Sequence, residues 1–312
     1  MKTQARITLA LEVSQRYYML DQNQSQIATE LAISRASVSR LLKFAREQGL
    51  VTIEIHNPLT AVETLANRIK EQYHLKDVVV VPTKRADENP VQAVGKAGAK
   101  YLQSHVKDHD IIGIGWGKTV YEVARQLTPQ DFTDVQVVQM KGSAADNATN
   151  NFAYEAINDF AKAYQTNPQY LPLPVIFDQA TTKQVIEQDR HISRTLDLGR
   201  QANVALFTVG TVRSSAMLFK LGYLTAAEQH RLQANSVGDA FSRFIDAEGQ
   251  IADEQINQRT IGIELDALKQ KETSILVVGK VAKVPATKAV LTAGYANVLI
   301  IDQLSAENLI RS

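Results

Sequence analysis

The sequence predicts an α/β protein with a helix-turn-helix unit at the front, residues 1–56, followed by a mostly parallel α/β domain over residues 57–312. Three observations carry this reading. Short Val- and Ile-rich runs alternate with helical periodicity from residue 78 onward, glycine-bearing turns follow several of those runs, and a Ser-capped amphipathic helix precedes them all.

In the front unit, residues 5–18 have helical spacing, with Ile7, Leu11, Ser14 and Tyr18 near one face, and the polar run Asp21-Gln22-Asn23-Gln24 ends that helix. Ser25 to Leu31 reads as a short helix with Ile27, Ala28 and Leu31 inward. Ala32-Ile33 forms a tight turn, Ser34 caps a helix running to Gln48, and Gly49 takes the C-cap position. Within that third helix Val38, Leu41, Leu42 and Ala45 make the apolar stripe, leaving a polar, basic surface. Two helices joined by so short a turn can project the second into a major groove. Arg35, Ala36, Ser37 and Arg40 near its start are the candidates for reading bases; Lys43, Arg46 and Arg16 suit phosphates, and Ser34 and Ser39 complete the DNA-binding set. The alternating run Val51 to Ile55 suits a strand or wing. A lone basic helix is ordinarily a solvated face, here that of a three-helix capping or dimerisation domain. The coincidence of short helix, Ser cap, small-residue turn and N-terminal position favours DNA.

Composition narrows the classes. The 312 residues hold 45% hydrophobic and 21% charged residues, as in globular proteins. No cysteine is present, which removes disulfides, thiolate nucleophiles and every Cys-ligated metal site. No stretch approaches about 18 uninterrupted apolar positions, so no membrane partner and a cytoplasmic location are expected. The formal charge is +1, but residues 1–50 carry seven basic residues against four acidic ones. A basic head therefore precedes a slightly acidic body.

After a helical connector over Thr60 to Tyr73 and a run at Val78 to Val81, a helix is expected from Val91 to Gln103. Strands are then expected at Ile111 to Trp116, Val135 to Met140, Leu171 to Phe177, Val204 to Val209, Ser274 to Val278 and Val298 to Ile301. Parallel sheets bind ligands beyond the C-terminal ends of their strands. The strongest such end is Gly113-Ile114-Gly115-Trp116-Gly117-Lys118-Thr119, leading into a helix at Val120 to Leu127. A P-loop requires glycine where Ile112 stands, and a dinucleotide fingerprint requires glycine where Lys118 stands. Both nucleotide readings fail on spacing, which leaves a phosphate cradle at a helix start or a turn whose glycines serve packing alone.

The next strand end carries Lys141-Gly142-Ser143. A lysine leaving a Val-rich strand is partly desolvated, which favours its neutral amine. Such an amine can condense with the aldehyde of an open-chain sugar phosphate, or stay charged and pair with phosphate. Further strand-end candidates are Thr208-Val209-Gly210-Thr211, Gly279-Lys280 with Lys283, and Ile301-Asp302, while the Gly238-Asp239 turn offers a carboxylate to sugar hydroxyls. His105 and His109 have one-turn spacing but no metalloprotease-type glutamate, so a solvated helix end is expected there and no metal or cofactor is invoked. No catalytic triad or carboxylate pair stands out.

The loop from Gly113 to Thr119 behind a helix-turn-helix, then Gly238-Asp239, Arg259 with Ile261-Gly262-Ile263, Gly279 with Lys283, and Val298 to Asp302, resembles the SorC family of bacterial transcriptional regulators over nearly the whole chain. The resemblance implies an effector domain with a sugar-phosphate-isomerase-like fold that senses phosphorylated sugars to control operons for their catabolism. Carried over by motif, the Gly115, Trp116, Gly117, Lys118 and Thr119 loop would hold phosphate, with Gly210, Asp239 and Lys283 lining the rest of the pocket. The late Gly-Gly-x-x-Lys segment of the family is reduced here to Gly279-Lys280-Val281-Ala282-Lys283. Lysine at 141, ahead of Gly142 and Ser143, is similar to the deoxyribonucleoside-regulator branch, whose effector is deoxyribose 5-phosphate held as an imine. The resemblance implies a repressor, a homo-oligomer (dimer or tetramer) bound to operator DNA and released by effector. An isomerase- or deaminase-like enzyme fused to a DNA domain is the alternative, although no general acid/base pair presents itself.

Overall fold

A computed structural model describes residues 2–51, 58–82, 89–143 and 152–311. The chain divides into two compact units, Met1–Asn57 and Pro58–Ser312.

The first unit holds α1 (Lys2–Tyr18), α2 (Gln24–Glu30) and α3 (Arg35–Glu47). Asn23 starts α2 with a capping box, its side chain accepting from the Ser25 and Gln26 amides while the Gln26 side chain accepts from the Asn23 amide. The Ser34 hydroxyl accepts from the Ser37 amide at 3.1 Å and so starts α3 where the sequence places it. Gly49, at φ +67°, closes α3. Val38, Leu41, Leu42 and Ala45 pack against Ile27, Ala10 and Val13. The inward face of α1 is therefore Ala10, Val13 and Ser14, rotated from the expected Ile7, Leu11, Ser14 and Tyr18 stripe; Leu11 and Tyr18 are exposed. Small Ala10 lets α1 approach α3 closely, which the larger residues would prevent. Most of the expected Val51–Ile55 wing lies outside the described residues.

The second unit comprises α4 (Pro58–Gln72), β1 (Asp77–Val81), α5 (Pro90–His105), β2 (Ile111–Ile114), α6 (Lys118–Ala124), β3 (Gln136–Gln139), α7 (Ala153–Ala163), β4 (Pro168–Gln169), α8 (Ala180–Glu187), α9 (Arg190–Gln201), β5 (Val204–Phe207), β6 (Val209–Gly210), α10 (Met217–Lys220), α11 (Ala226–Asn235), β7 (Gly238–Ala240), β8 (Arg243–Ile245), α12 (Glu254–Asn257), α13 (Asp266–Lys269) and β9 (Thr273–Val278). A 3-10 turn at Val281–Lys283, α14 (Val284–Thr292), β10 (Val298–Asp302) and α15 (Gln303–Arg311) complete it. Among the described residues, no helix is long and apolar enough to cross a membrane.

Seven strands form one sheet in the order β1-β10-β9-β5-β2-β3-β4, with every pairing parallel. Alternate strand residues enter two cores: Val138, Phe207, Leu276, Val278, Leu299 and Ile301 on one face, Ile112, Ile114, Val137, Leu206, Val277 and Ile300 on the other. Burial on both faces is why these strands read as near-continuous apolar runs. After β2 the chain moves outward to β3, and after β5 it moves the other way to β9. The crevice between the ends of β2 and β5 is thus the topological switch point.

Two expectations are corrected. Leu171–Phe177 is not a strand: Pro172 and Pro174 cannot donate ladder hydrogen bonds, and the edge pairing is made earlier, by Pro168 and Gln169. The expected Val204–Val209 strand divides: β5 ends at Phe207, and Val209 opens β6 of a second, antiparallel sheet, β6-β7-β8, whose strands have two or three residues each.

Candidate functional site

A cavity of about 380 Å³ lies beyond the C-terminal ends of β2, β3, β5 and β9, at the switch point. The β2 end contributes Trp116, Gly117, Lys118 and Thr119. Gly117, at φ +126°, turns the chain into α6, a conformation side-chain-bearing residues rarely adopt. From the far side, the Lys283 ammonium donates to the Thr208 hydroxyl at 2.9 Å and lies 3.5 Å from that of Thr119. Burial pushes the Lys283 amine down to about 8, against the pull of Asp239 and with Lys280 and Lys141 adding to the depression.

Lys141 enters straight from β3 and is only 5% exposed. Its Nζ lies 3.8 Å from the centroid of the Trp116 ring and donates to the Ser242 hydroxyl at 3.1 Å. Burial lowers its amine to about 8, opposed by the Asp239 carboxylate. Asp239, on β7, is buried too. Desolvation raises its carboxyl, while Lys141, the Ser242 amide at 3.1 Å and Lys283 hold it back. Opposite it on β6 is Gly210, where a Cβ would fall 1.8 Å from Asp239 Oδ1. Glycine at 210 is what leaves room for the carboxylate.

The Lys141 backbone is clamped. It bridges to Gly262, the Ile263 amide donates to the Met140 carbonyl at 2.9 Å, and the Gly142 amide donates to the Ile261 carbonyl at 3.2 Å. Arg243, fully buried, braces this segment by donating to the carbonyls of Ile263 and Gly262 at 3.0 and 3.1 Å.

Of the residues singled out in the sequence, Trp116, Gly117, Lys118, Thr119, Lys141, Gly210, Asp239 and Lys283 line the cavity together. Gly115, Gly142 and Ser143 do not. Gly115 is buried beneath, near Phe207 and Phe241. Gly142 is packed against Pro174 and Ile261, and its carbonyl accepts the Trp116 indole N–H at 2.7 Å, so it positions the ring. The Ser143 hydroxyl turns away, donating to the Leu171 carbonyl at 3.0 Å. Beyond Thr211, which the sequence also singles out, Arg213, Ser215 and Met217 join the lining without a sequence signal, and Ser242 stands behind Lys141 without one either. The TVRSS run at 211–215 has the polarity of any surface loop, and Ser242 carries no motif. His105 stacks on Tyr101 at 3.9 Å, whereas His109 lies past the helix end at φ +67° and faces Asp134, so the two do not share a helix face.

In the first unit, Ser34, Arg35, Ala36, Ser39, Arg40 and Lys43 are exposed around the start and outer face of α3, and Ser37 is half-buried beside its cap. Lys43 pairs with Glu47 at 3.8 Å. Arg16, expected to suit phosphate, pairs with Glu12 one turn away on α1 and with Glu30 on α2, and the second pair joins the two helices.

A doubly covered parallel sheet with an amine-lined cavity at its switch point defines a small-ligand-binding domain, and residues 57–311 match the family model described as "Putative sugar-binding domain". The chain belongs to that family, among the SorC-type transcriptional regulators. It is 46% identical to the deoxyribonucleoside regulator of Bacillus subtilis (strain 168), with 97% of each chain covered, and 30% identical to the sorbitol operon regulator of Klebsiella pneumoniae, with 98% of each covered. The crystal structure of full-length SorC from Klebsiella pneumoniae superposes with a TM-score of 0.74 at 28% identity, over 97% of this chain and 98% of that one. These relatives are named as regulators, not as enzymes.

Proposed function

We propose that this chain is a DNA-binding repressor of a sugar or deoxyribonucleoside catabolic operon, released from its operator by a phosphorylated sugar, deoxyribose 5-phosphate, held as a Schiff base on Lys141. The observation that carries the reading is a buried amine, depressed to about 8, in a cavity that also holds the Gly117–Thr119 turn and Lys283. The similarity to a deoxyribonucleoside regulator supports the same choice. The phosphate would lie against Gly117, Thr119 and Lys283, and the open-chain aldehyde against Lys141. Condensation of the ammonium with the aldehyde forms a protonated imine and releases one water. Ketoses and ring-locked sugar phosphates would lose that covalent contribution.

Release follows if the effector favours an arrangement of the oligomer, dimer or tetramer, whose α3 helices no longer match half-sites about 34 Å apart. A ligand bound equally by both arrangements shifts nothing. Coupling of about 5- to 150-fold is the usual range. The helix-turn-helix reading of α2 and α3 is supported by the exposed basic face of α3. For that face, Arg40→Ala is expected to weaken operator binding more than nonspecific binding in salt-matched titrations if Arg40 reads a base. Equal losses would assign it to phosphate.

Borohydride reduction with deoxyribose 5-phosphate, followed by peptide mass spectrometry, tests the covalent reading. One reduced deoxyribose phosphate is expected on the Lys141 peptide, and Lys141→Ala should abolish both the adduct and effector-driven operator release. An unmodified peptide, with normal release in the variant, would overturn the proposal.

A further inference from the structure

Ser242 sits behind the cavity rather than in its lining, fully buried, in the turn between β7 and β8. Phe241 and Ser242 form a two-residue hairpin loop with positive φ at both, +50° and +66°, and what is unusual is that neither is glycine, asparagine or aspartate. Such backbone persists only where its surroundings over-determine it, and it concentrates at functional sites. Here Phe241 packs against Phe207, with ring centroids 5.0 Å apart. The twist aims the Ser242 amide at the Asp239 carboxylate and its hydroxyl at Lys141 Nζ. A two-residue hairpin with glycine at 242 would close the same strands and keep the amide, but would not supply the hydroxyl.

We infer that Ser242 is a positioning residue for Schiff-base formation, its hydroxyl holding the one Lys141 N–H that survives into the protonated imine. This rests on the covalent reading above. When an ammonium condenses with an aldehyde, the nitrogen lone pair exposed by deprotonation forms the C–N bond and the carbonyl π pair moves to oxygen. The C–O bond then breaks, nitrogen donates its pair to form C=N, and the oxygen leaves as water. Of the three ammonium protons, two leave in that water and one remains on the iminium. Ser242 approaches from outside the cavity lining, so the hydrogen it holds is the one least available to the departing oxygen. The same hydrogen bond serves ammonium and iminium, and it directs the reacting lone pair toward the ligand. The other groups facing the amine are the Trp116 ring from the β2 end and Asp239 from β7, with Lys283 contributing from the 3-10 turn.

The test follows borohydride-trapped adduct formation with deoxyribose 5-phosphate against pH, in the full-length chain and in Ser242→Ala and Ser242→Gly. Glycine suits the positive φ, so it removes the hydroxyl without adding backbone strain. In both variants the plateau rate is expected to fall about tenfold, the order of loss for one hydrogen bond to a charged group. Losing an acceptor disfavours the ammonium, so the rising limb of the profile should move to lower pH. A purely structural serine would reduce the folded fraction without moving that limb. Wild-type rate and profile in a folded variant would overturn the inference and leave the covalent reading intact. Failure of wild-type protein to form any adduct would overturn both.

Discussion

Arg243→Ala is expected to lower the unfolding free energy of the sugar-binding domain by about 3–5 kcal/mol, from lost hydrogen bonds and an unfilled volume together. The guanidinium is 1% exposed and donates to the carbonyls of Ile263, Gly262 and Asn257, to the Asn257 side chain and to Glu264. Its carboxylate partner, Glu264, is more than half exposed, so water can take over there when the arginine is removed. The buried carbonyls have no such recourse, and each costs about 1–3 kcal/mol when orphaned. Denaturant unfolding, with the midpoint read against an unchanged slope, is the measurement. An unshifted midpoint would show that the carbonyls find other donors.

Gly262→Ala should come next in size and reach the site directly. The residue sits at φ +138°, and a Cβ would meet the Met140 carbonyl oxygen at 2.7 Å and Lys141 Cα at 2.8 Å, both backbone atoms that cannot swing aside. Strain and overpacking of this kind cost about 2–4 kcal/mol. Because the displaced atom belongs to Lys141, the variant should also lose most of its borohydride-trapped adduct. Arg243 and Gly262 share one clamp, so the double variant should lose less than the two single losses combined. Full additivity would separate bracing from clamping.

Much of this was legible in the sequence. The near-continuous apolar runs at β5, β9 and β10 stand out because both faces of the sheet are covered there, and the turn at Gly117 announces itself because its backbone needs glycine. The burial of Lys141 at the cavity was readable because it follows directly on the buried strand β3. The Ser242–Lys141 contact was not, because it depends on two left-handed residues in a turn whose flanking strands are too short for any alternation to register. Gly115 was over-read: its neighbours in the loop face the cavity, but the pleat points its own missing side chain at Phe207 and Phe241. The Arg16–Glu30 ion pair was not legible either, since its partners sit on separate helices and meet only once α1 and α2 pack.

The cavity draws its lining from residue 91 to residue 283, across the ends of strands at the middle of a seven-stranded parallel sheet. No contiguous stretch of chain contains it, and contacts so far apart in sequence form late in folding. An effector that needs Trp116, Lys141 and Lys283 at once can therefore be captured only by a chain whose central strands are already assembled. Ligand occupancy of this cavity would then double as a report on chain integrity: a bound molecule would stabilise the native state by mass action, and a truncated or misfolded copy would capture none.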